Sequence, residues 1–198
     1  MLLIVDGENF RHQIARVLAH HGKVRDNNDF FEFDFVGFCR HALHRQDVDI
    51  IYVTTRIKHP HFEIPESLHQ LIDEIANSHG RWVEHLTEQG VNVVTAGNLK
   101  VKESNACYHC GKRTQTLQEK GVDVRVATEL LLAAQRQVPE IVLGSSDSDM
   151  IPALDAARGL GAATKYVCHH DELNEHIQAA VSDVMTFDDG DVMQFFRQ

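Results

Sequence analysis

The sequence has no long hydrophobic run. Its continuous apolar stretches, such as Ile50 to Val53 and Ala179 to Val181, fall far short of the roughly 20 residues that span a bilayer. No basic region precedes the apolar N-terminal run, so neither a signal peptide nor a membrane segment is expected. Positive charge is also scarce: 19 Lys and Arg stand against 29 Asp and Glu, a net charge of −10. That balance excludes a protein that coats nucleic acid through a broad basic surface and leaves only local contacts. Cysteine is sparse, with four in 198 residues, which reads as reduced thiols in a cytoplasmic compartment rather than a disulfide framework. What remains is ordinary for a folded protein: 43% apolar and 24% charged residues exclude disorder, collagen-like repeats and coiled coil. The length suits one domain, residues 1–198.

Leu2 to Val5 is a continuous apolar run ending in Asp6-Gly7, the pattern of a strand buried on both faces. Phe10, Ile14, Val17 and Leu18 recur at helical spacing and predict a helix from about Asn9 to His20; Asp29 to Leu43 predicts another. Asp49 to Thr54 reads as a second strand. Leu68, Leu71, Ile72, Ile75, His79, Trp82, Val83 and Leu86 then form the clearest stripe in the chain, a long helix with Gly90 at its end. His79 on that stripe reads as a core-edge histidine. Val91 to Thr95 is a third strand, and the charged segment at about 97–120 is an excursion, read as a small hairpin. The alternation resumes with a helix at Asp123 to Gln135, a strand at Glu140 to Leu143, a helix at Ser148 to Gly159 and a strand at Ala163 to Val167. A short helix, an edge strand at Val184 to Phe187 and a terminal helix complete the chain. The fold class is α/β with a mainly parallel sheet covered on both faces, and the expected strand order is 3-2-1-4-5.

In such a sheet the working crevice lies beyond the carboxyl ends of the strands, where the order reverses. Asp6 follows the first strand, Asp147 and Asp149 follow the fourth, and Asp123 opens the helix leading into the fourth, so all four are expected at one crevice. Two carboxylates about 4 Å apart repel by roughly 4 kcal/mol at an effective dielectric constant near 20. Hard oxygen ligands of this kind match Mg²⁺ or Mn²⁺, and the chemistry suggested is hydrolysis of a phosphodiester. Each acid also has a purely structural reading: Asp6 shapes a turn with Gly7, and Asp147 caps the following helix. Asn9 reads either as a cap or as an amide that orients water or phosphate.

Val5-Asp6-Gly7-Glu8-Asn9, Lys120-Gly121-Val122-Asp123-Val124 and Ser145-Ser146-Asp147-Ser148-Asp149-Met150-Ile151-Pro152 resemble, in order and spacing, the motifs of the NYN (LabA-like) domains, relatives of the PIN nucleases. The resemblance covers about residues 1–170 and implies a PIN-like three-layer sandwich, an acidic metal centre and ribonuclease activity. It makes Asp6, Asp123, Asp147 and Asp149 the metal-binding or catalytic acids, with Asn9, Ser146 and Glu129 in support. It also implies RNA, single-stranded, as partner; self-association stays open. Arg56, Lys58, Lys100, Lys102, Arg113 and Lys120 follow strand ends or sit in the excursion, and are candidate contacts to the RNA backbone. Two other readings are compatible with these residues: an RNA-binding or protein-interacting regulator without turnover, and a phosphatase using Asp147-Ser148-Asp149, although a phosphatase places such a pair at the first strand.

Cys107-Tyr108-His109-Cys110 supplies half of a zinc site or, alternatively, a thiol-lined hairpin tip. The candidates for the other half, Cys168-His169-His170 and Cys39 with His41, lack standard finger spacing. Tyr108 is a candidate to stack on a base.

Overall fold

The structure is a computed structural model of the chain and describes residues 1–24, 33–104, 108–111, 113 and 115–196. Six parallel strands form the central sheet: β1 (Leu2–Asp6), β2 (Asp49–Thr55), β3 (Asn92–Ala96), β6 (Glu140–Gly144), β7 (Ala163–His169) and β8 (Asp183–Phe187). Their order is β3-β2-β1-β6-β7-β8, with β4 (Asn98–Glu103) and β5 (Gln115–Lys120) apart as an antiparallel hairpin. This differs from the expected 3-2-1-4-5. The hairpin takes two places in the chain order without joining the sheet, and β8 adds a sixth strand parallel to β7.

Side-chain alternation along the buried strands divides the core in two. Leu3 and Val5 of β1, Ile50 and Tyr52 of β2 and Val142 of β6 face one layer; Ile4, Ile51, Val53, Ile141 and Leu143 face the other. The first layer is aromatic. Phe10 of α1 (Gly7–His20), Phe35 and Phe38 of α2 (Phe35–Ala42), Trp82 of α3 (Glu66–Glu88) and Phe187 pack there. Several of these rings meet edge to face, Phe38 and Phe187 at 4.9 Å between centroids. The second layer is aliphatic, built from Val126 and Leu130 of α4 (Val122–Gln135), Leu154 and Ala157 of α5 (Ile151–Gly159) and Ile177 of α6 (Glu175–Ala180). Helix α7 (Asp189–Gln194) returns to the aromatic side through Val192. The result is a three-layer α/β sandwich.

The long stripe holds with one exception. Ile72, Trp82 and Leu86 are buried and His79 is half-buried, but Leu71 is exposed. Of the helix expected at Asp29 to Leu43, residues 29–32 lie outside the described residues, and α2 begins at Phe35, capped by Asp34. Among the described residues no helix is long and apolar enough to cross a membrane.

β1 is flanked by β2 on one side and β6 on the other, so the order reverses between β1 and β6. Gly7 begins α1 directly at the end of β1, and a Cβ there would lie 2.5 Å from the Tyr52 ring and 2.6 Å from the Val53 carbonyl oxygen. Only glycine allows that approach, which also lets the Tyr52 hydroxyl donate to the Gly7 carbonyl at 2.8 Å while Trp82 Nε1 donates to Tyr52.

Candidate functional site

Each of the four aspartates stands at a helix or turn N-terminus, where unpaired backbone N–H groups favour a negative side chain. Asp6 is the N-cap of α1, and its Oδ1 accepts from the Asn9 backbone N–H at 3.2 Å. Asp123 lies in the first turn of α4, which begins after Gly121. Asp147 caps a 3-10 turn (Ser148–Met150), accepting from the Asp149 N–H at 2.9 Å, and Asp149 sits in that turn. Asp6 and Asp147 thus cap the elements that follow β1 and β6.

The acids feel one another. Asp6 is 6% exposed, and its pKa is pushed up from 3.8 to about 6, mainly by burial and further by the charges of Asp123 and Asp147. Hydrogen bonds from the Asn9 N–H and the Ser145 hydroxyl oppose that rise. Asp123 is exposed, yet its pKa is also raised, by partial burial first and then by Asp147 and Asp149. The charge of Asp147 thus reaches both Asp6 and Asp123 from a separate segment.

They do not form a closed cage. The one trio of His, Cys, Asp or Glu among the described residues whose ligand atoms all lie within 4.8 Å of one another is His169, His170 and Asp171. The four aspartates supply no trio that close among the described residues. The His169 ring is engaged in the fold: Nε2 pairs with Asp189 at 3.0 Å, while Nδ1 accepts from the Asp171 N–H and meets Arg16.

Asn9 and Ser146 work as braces. Asn9 Oδ1 accepts from the Ser146 N–H at 3.0 Å and from Gln13 Nε2 at 2.9 Å, tying the start of α1 to the turn after β6. The Ser146 hydroxyl meets Tyr166 at 2.8 Å and Gln13 at 3.2 Å. Glu129, named as a supporting acid, is buried one turn beyond Arg125 and ion-paired with it, so its charge is already met.

Sequence reasoning missed several residues here. Ser145, fully buried, donates to Asp6 Oδ2 at 3.3 Å and accepts from the Asp147 N–H, linking two of the acids directly. Gln13, 2% exposed, joins Asn9, Ser146 and, through Oε1, the His169 N–H. Glu119 of β5 lines the same cleft of about 710 Å³ as Asp6, Glu8 and Asp123. Its pKa is pushed up to about 7, by burial first and then by Glu8, Asp6 and Asp123. Arg11, 8% exposed, is a basic group in the cleft wall, 4.0 Å from Glu8. Its position five residues after Asp6, in a chain poor in cations, was the available signal. Asp147 and Asp149 do not line this cleft and act on it from the β6 turn.

The basic candidates fare unevenly. Register pairs Asn98 with Lys120, Lys100 with Gln118 and Lys102 with Thr116, while Leu99 opposes Glu119 and Val101 opposes Leu117. Lys100, Lys102 and Lys120 therefore share the hairpin face opposite to that of Glu119. Arg113 is ion-paired with Glu103 at 2.8 Å. Arg56 and Lys58 are exposed beyond β2, and the Arg56 carbonyl accepts from the Leu99 N–H. Cys107 lies outside the described residues. Cys110 is an exposed free thiol, and Tyr108 is 98% exposed. Cys39 and Cys168 are buried in opposite core layers, so neither completes a zinc site with Cys110.

The family model of the NYN domain matches residues 1–188. The chain belongs to the NYN domain family. NYN domains are PIN-like nucleases and are typically divalent-metal dependent, with RNA as the substrate the family implies. No curated protein matches the sequence. A crystal structure of a protein of unknown function from Vibrio parahaemolyticus is similar to this NYN domain, with a TM-score of 0.53 at 11% identity over 95% of this chain and 92% of that one. That likeness is one of fold.

Proposed function

We propose that this NYN domain is a divalent-metal-dependent ribonuclease in which Asp6, Asp123, Asp147 and Asp149 hold Mg²⁺ or Mn²⁺. The observation that carries this reading is the placement of these acids on helix and turn N-termini, where burial first and then the charges of Asp123 and Asp147 raise Asp6 to about 6. The donor set fits such an ion: hard carboxylate oxygens, on helix ends, crowded with like charge that a cation would relieve. A bound ion would supply charge neutralisation and Lewis acidity toward a phosphodiester.

The chain's own groups do the rest. Ser145 and the Asn9 N–H fix the Asp6 carboxylate, and the Asn9–Gln13–Ser146 brace keeps the β1 and β6 ends in register. Arg11 offers a fixed positive charge to an incoming phosphate from the cleft wall. Glu119, poised near neutrality on the hairpin, would move a proton at the leaving oxygen or add a ligand oxygen. A cytoplasmic setting goes with this reading.

Incubation of labelled single-stranded RNA with Mn²⁺ tests it. Cleavage by the wild type that is lost in Asp6→Asn and Asp147→Asn is expected; cleavage that survives both substitutions removes the proposed centre. The four aspartates supply no trio of ligand atoms within 4.8 Å of one another among the described residues, which favours a second reading, an RNA-binding regulator that turns over nothing. Binding of RNA without cleavage across varied sequences and metals would select it. A chromogenic phosphomonoester in the same assay addresses the phosphatase.

A further inference from the structure

A groove of about 460 Å³ lies beside the acidic cleft, between the segment at 58–62 and strand β4. Ile72, Leu99, Val101 and Leu117 give it an apolar lining, with Ile72 1% exposed. Lys58 and His61 supply polar lining, and Phe62 stands there 57% exposed. Leu99 and Leu117 line both this groove and the cleft, so the two adjoin.

We propose that this groove receives one unpaired nucleotide of the RNA strand whose neighbouring phosphate lies in the acidic cleft; the inference rests on the ribonuclease reading. Three features select that occupant. The volume falls within the range of small-ligand sites of roughly 300–1,000 Å³. An exposed aromatic ring beside an aliphatic lining suits a base, which presents a flat apolar face and gains by stacking. Lys58 sets positive charge beside it in a chain whose net charge is −10, as a phosphodiester requires.

The wall is held in place. The Leu99 N–H donates to the Arg56 carbonyl at 2.9 Å, His59 pairs with Asp73 of α3 at 2.9 Å, and the His59 ring stacks on His69. A duplex cannot use the site, because a paired base has its faces covered by its neighbours. Phe62 is thus a positioning residue for single-stranded substrate, outside the acid centre.

The test compares wild type, Phe62→Ala and Phe62→Trp on two phosphodiesters with Mn²⁺: a short single-stranded oligoribonucleotide, and bis(p-nitrophenyl) phosphate, which needs only the acids. Phe62→Ala is expected to raise KM for the oligonucleotide roughly fivefold to a hundredfold and to leave the small diester unaffected. Phe62→Trp should restore the wild-type KM. A single abasic position, moved along the strand, should reproduce the loss in the wild type at one place and add nothing in Phe62→Ala. Both substrates cleaved with an unchanged KM in Phe62→Ala would overturn the subsite while sparing the nuclease. If the wild type cleaves neither, the nuclease reading fails, and fluorescence anisotropy of the labelled oligonucleotide decides the groove. Binding weakened by Phe62→Ala keeps it, and equal binding or none rejects it.

Discussion

The acidic crevice is assembled from two unlike regions. Its floor, at the ends of β1 and β6, is buried and cross-braced: Asp6, Gln13 and Ser145 are each at most 6% exposed, Gln13 donates to Ser146, and Ser145 and the Ser146 N–H donate back to Asp6 and Asn9. Its overhang, the β4–β5 hairpin, is half-buried or exposed along its whole length. The hairpin is set by backbone geometry at its base. Gly97 has φ +65°, and a Cβ there would lie 1.9 Å from the Lys120 carbonyl oxygen. The contrast teaches where precision is spent. The buried, hydrogen-bonded groups sit on strand and helix ends over the core, and Glu119 reaches the same cleft from an appended element that leaves the sheet intact.

The strongest way to break this contrast is at the floor. Asp6→Asn should lower kcat for RNA by on the order of 10²–10³-fold, the scale of one lost ligand in an electrostatic centre. The same substitution should stabilise the metal-free protein. The folded-state pKa of Asp6, about 6, lies above its ordinary 3.8, so the folded state holds the proton more tightly. Stability of the metal-free wild type therefore falls as pH rises through that window, by about 3 kcal/mol once the group is ionised. Denaturant melts in a chelator should show this slope in wild type and a shallower one in Asp6→Asn, where the raised Glu119 and Asp123 still titrate.

Gln13→Ala tests the brace. It removes donors to Asn9 and Ser146 and the acceptor of the His169 N–H, and should cost about 1–3 kcal/mol of stability. Urea unfolding measures that, and kcat should fall with KM for the small diester nearly unchanged.

On the hairpin the effects should be smaller. Glu119→Gln should lower kcat about tenfold and flatten the limb of the pH–rate profile near 7, where this carboxyl titrates. A profile that keeps that limb would assign it elsewhere. The smallest effect belongs to Lys100, Lys102 and Lys120, which face away from Glu119. Substitution of each by Ala should leave kcat unchanged and at most reduce the salt dependence of RNA binding by about one charge. A large loss of cleavage from these lysines would reverse the assignment of the two hairpin faces.

Much of the floor was legible in the sequence because its signals are local. Apolar runs end at Asp6 and before Asp147, and Asp123 opens a helix, so strand ends and acids could be read together. Ser145 and Gln13 were not legible. The partners that tie them across the site lie 139 and 133 to 156 positions away, and an isolated serine or glutamine carries no periodic mark. The hairpin was legible as an excursion, but not Glu119, one charge among several at β spacing, whose meaning depends on how the hairpin folds back over Asp6 and Asp123. The sixth parallel strand was foreseen only as an edge, and its pairing with β7 set the final order.

The most direct test of the central claim is the binding of Mn²⁺, followed by electron paramagnetic resonance, to wild type and to the Asp6→Asn and Asp147→Asn variants. The account predicts that wild type quenches the signal of free Mn²⁺ and that both variants bind markedly more weakly while remaining folded. Wild type that leaves the ion free, or variants that bind it equally well, would contradict it.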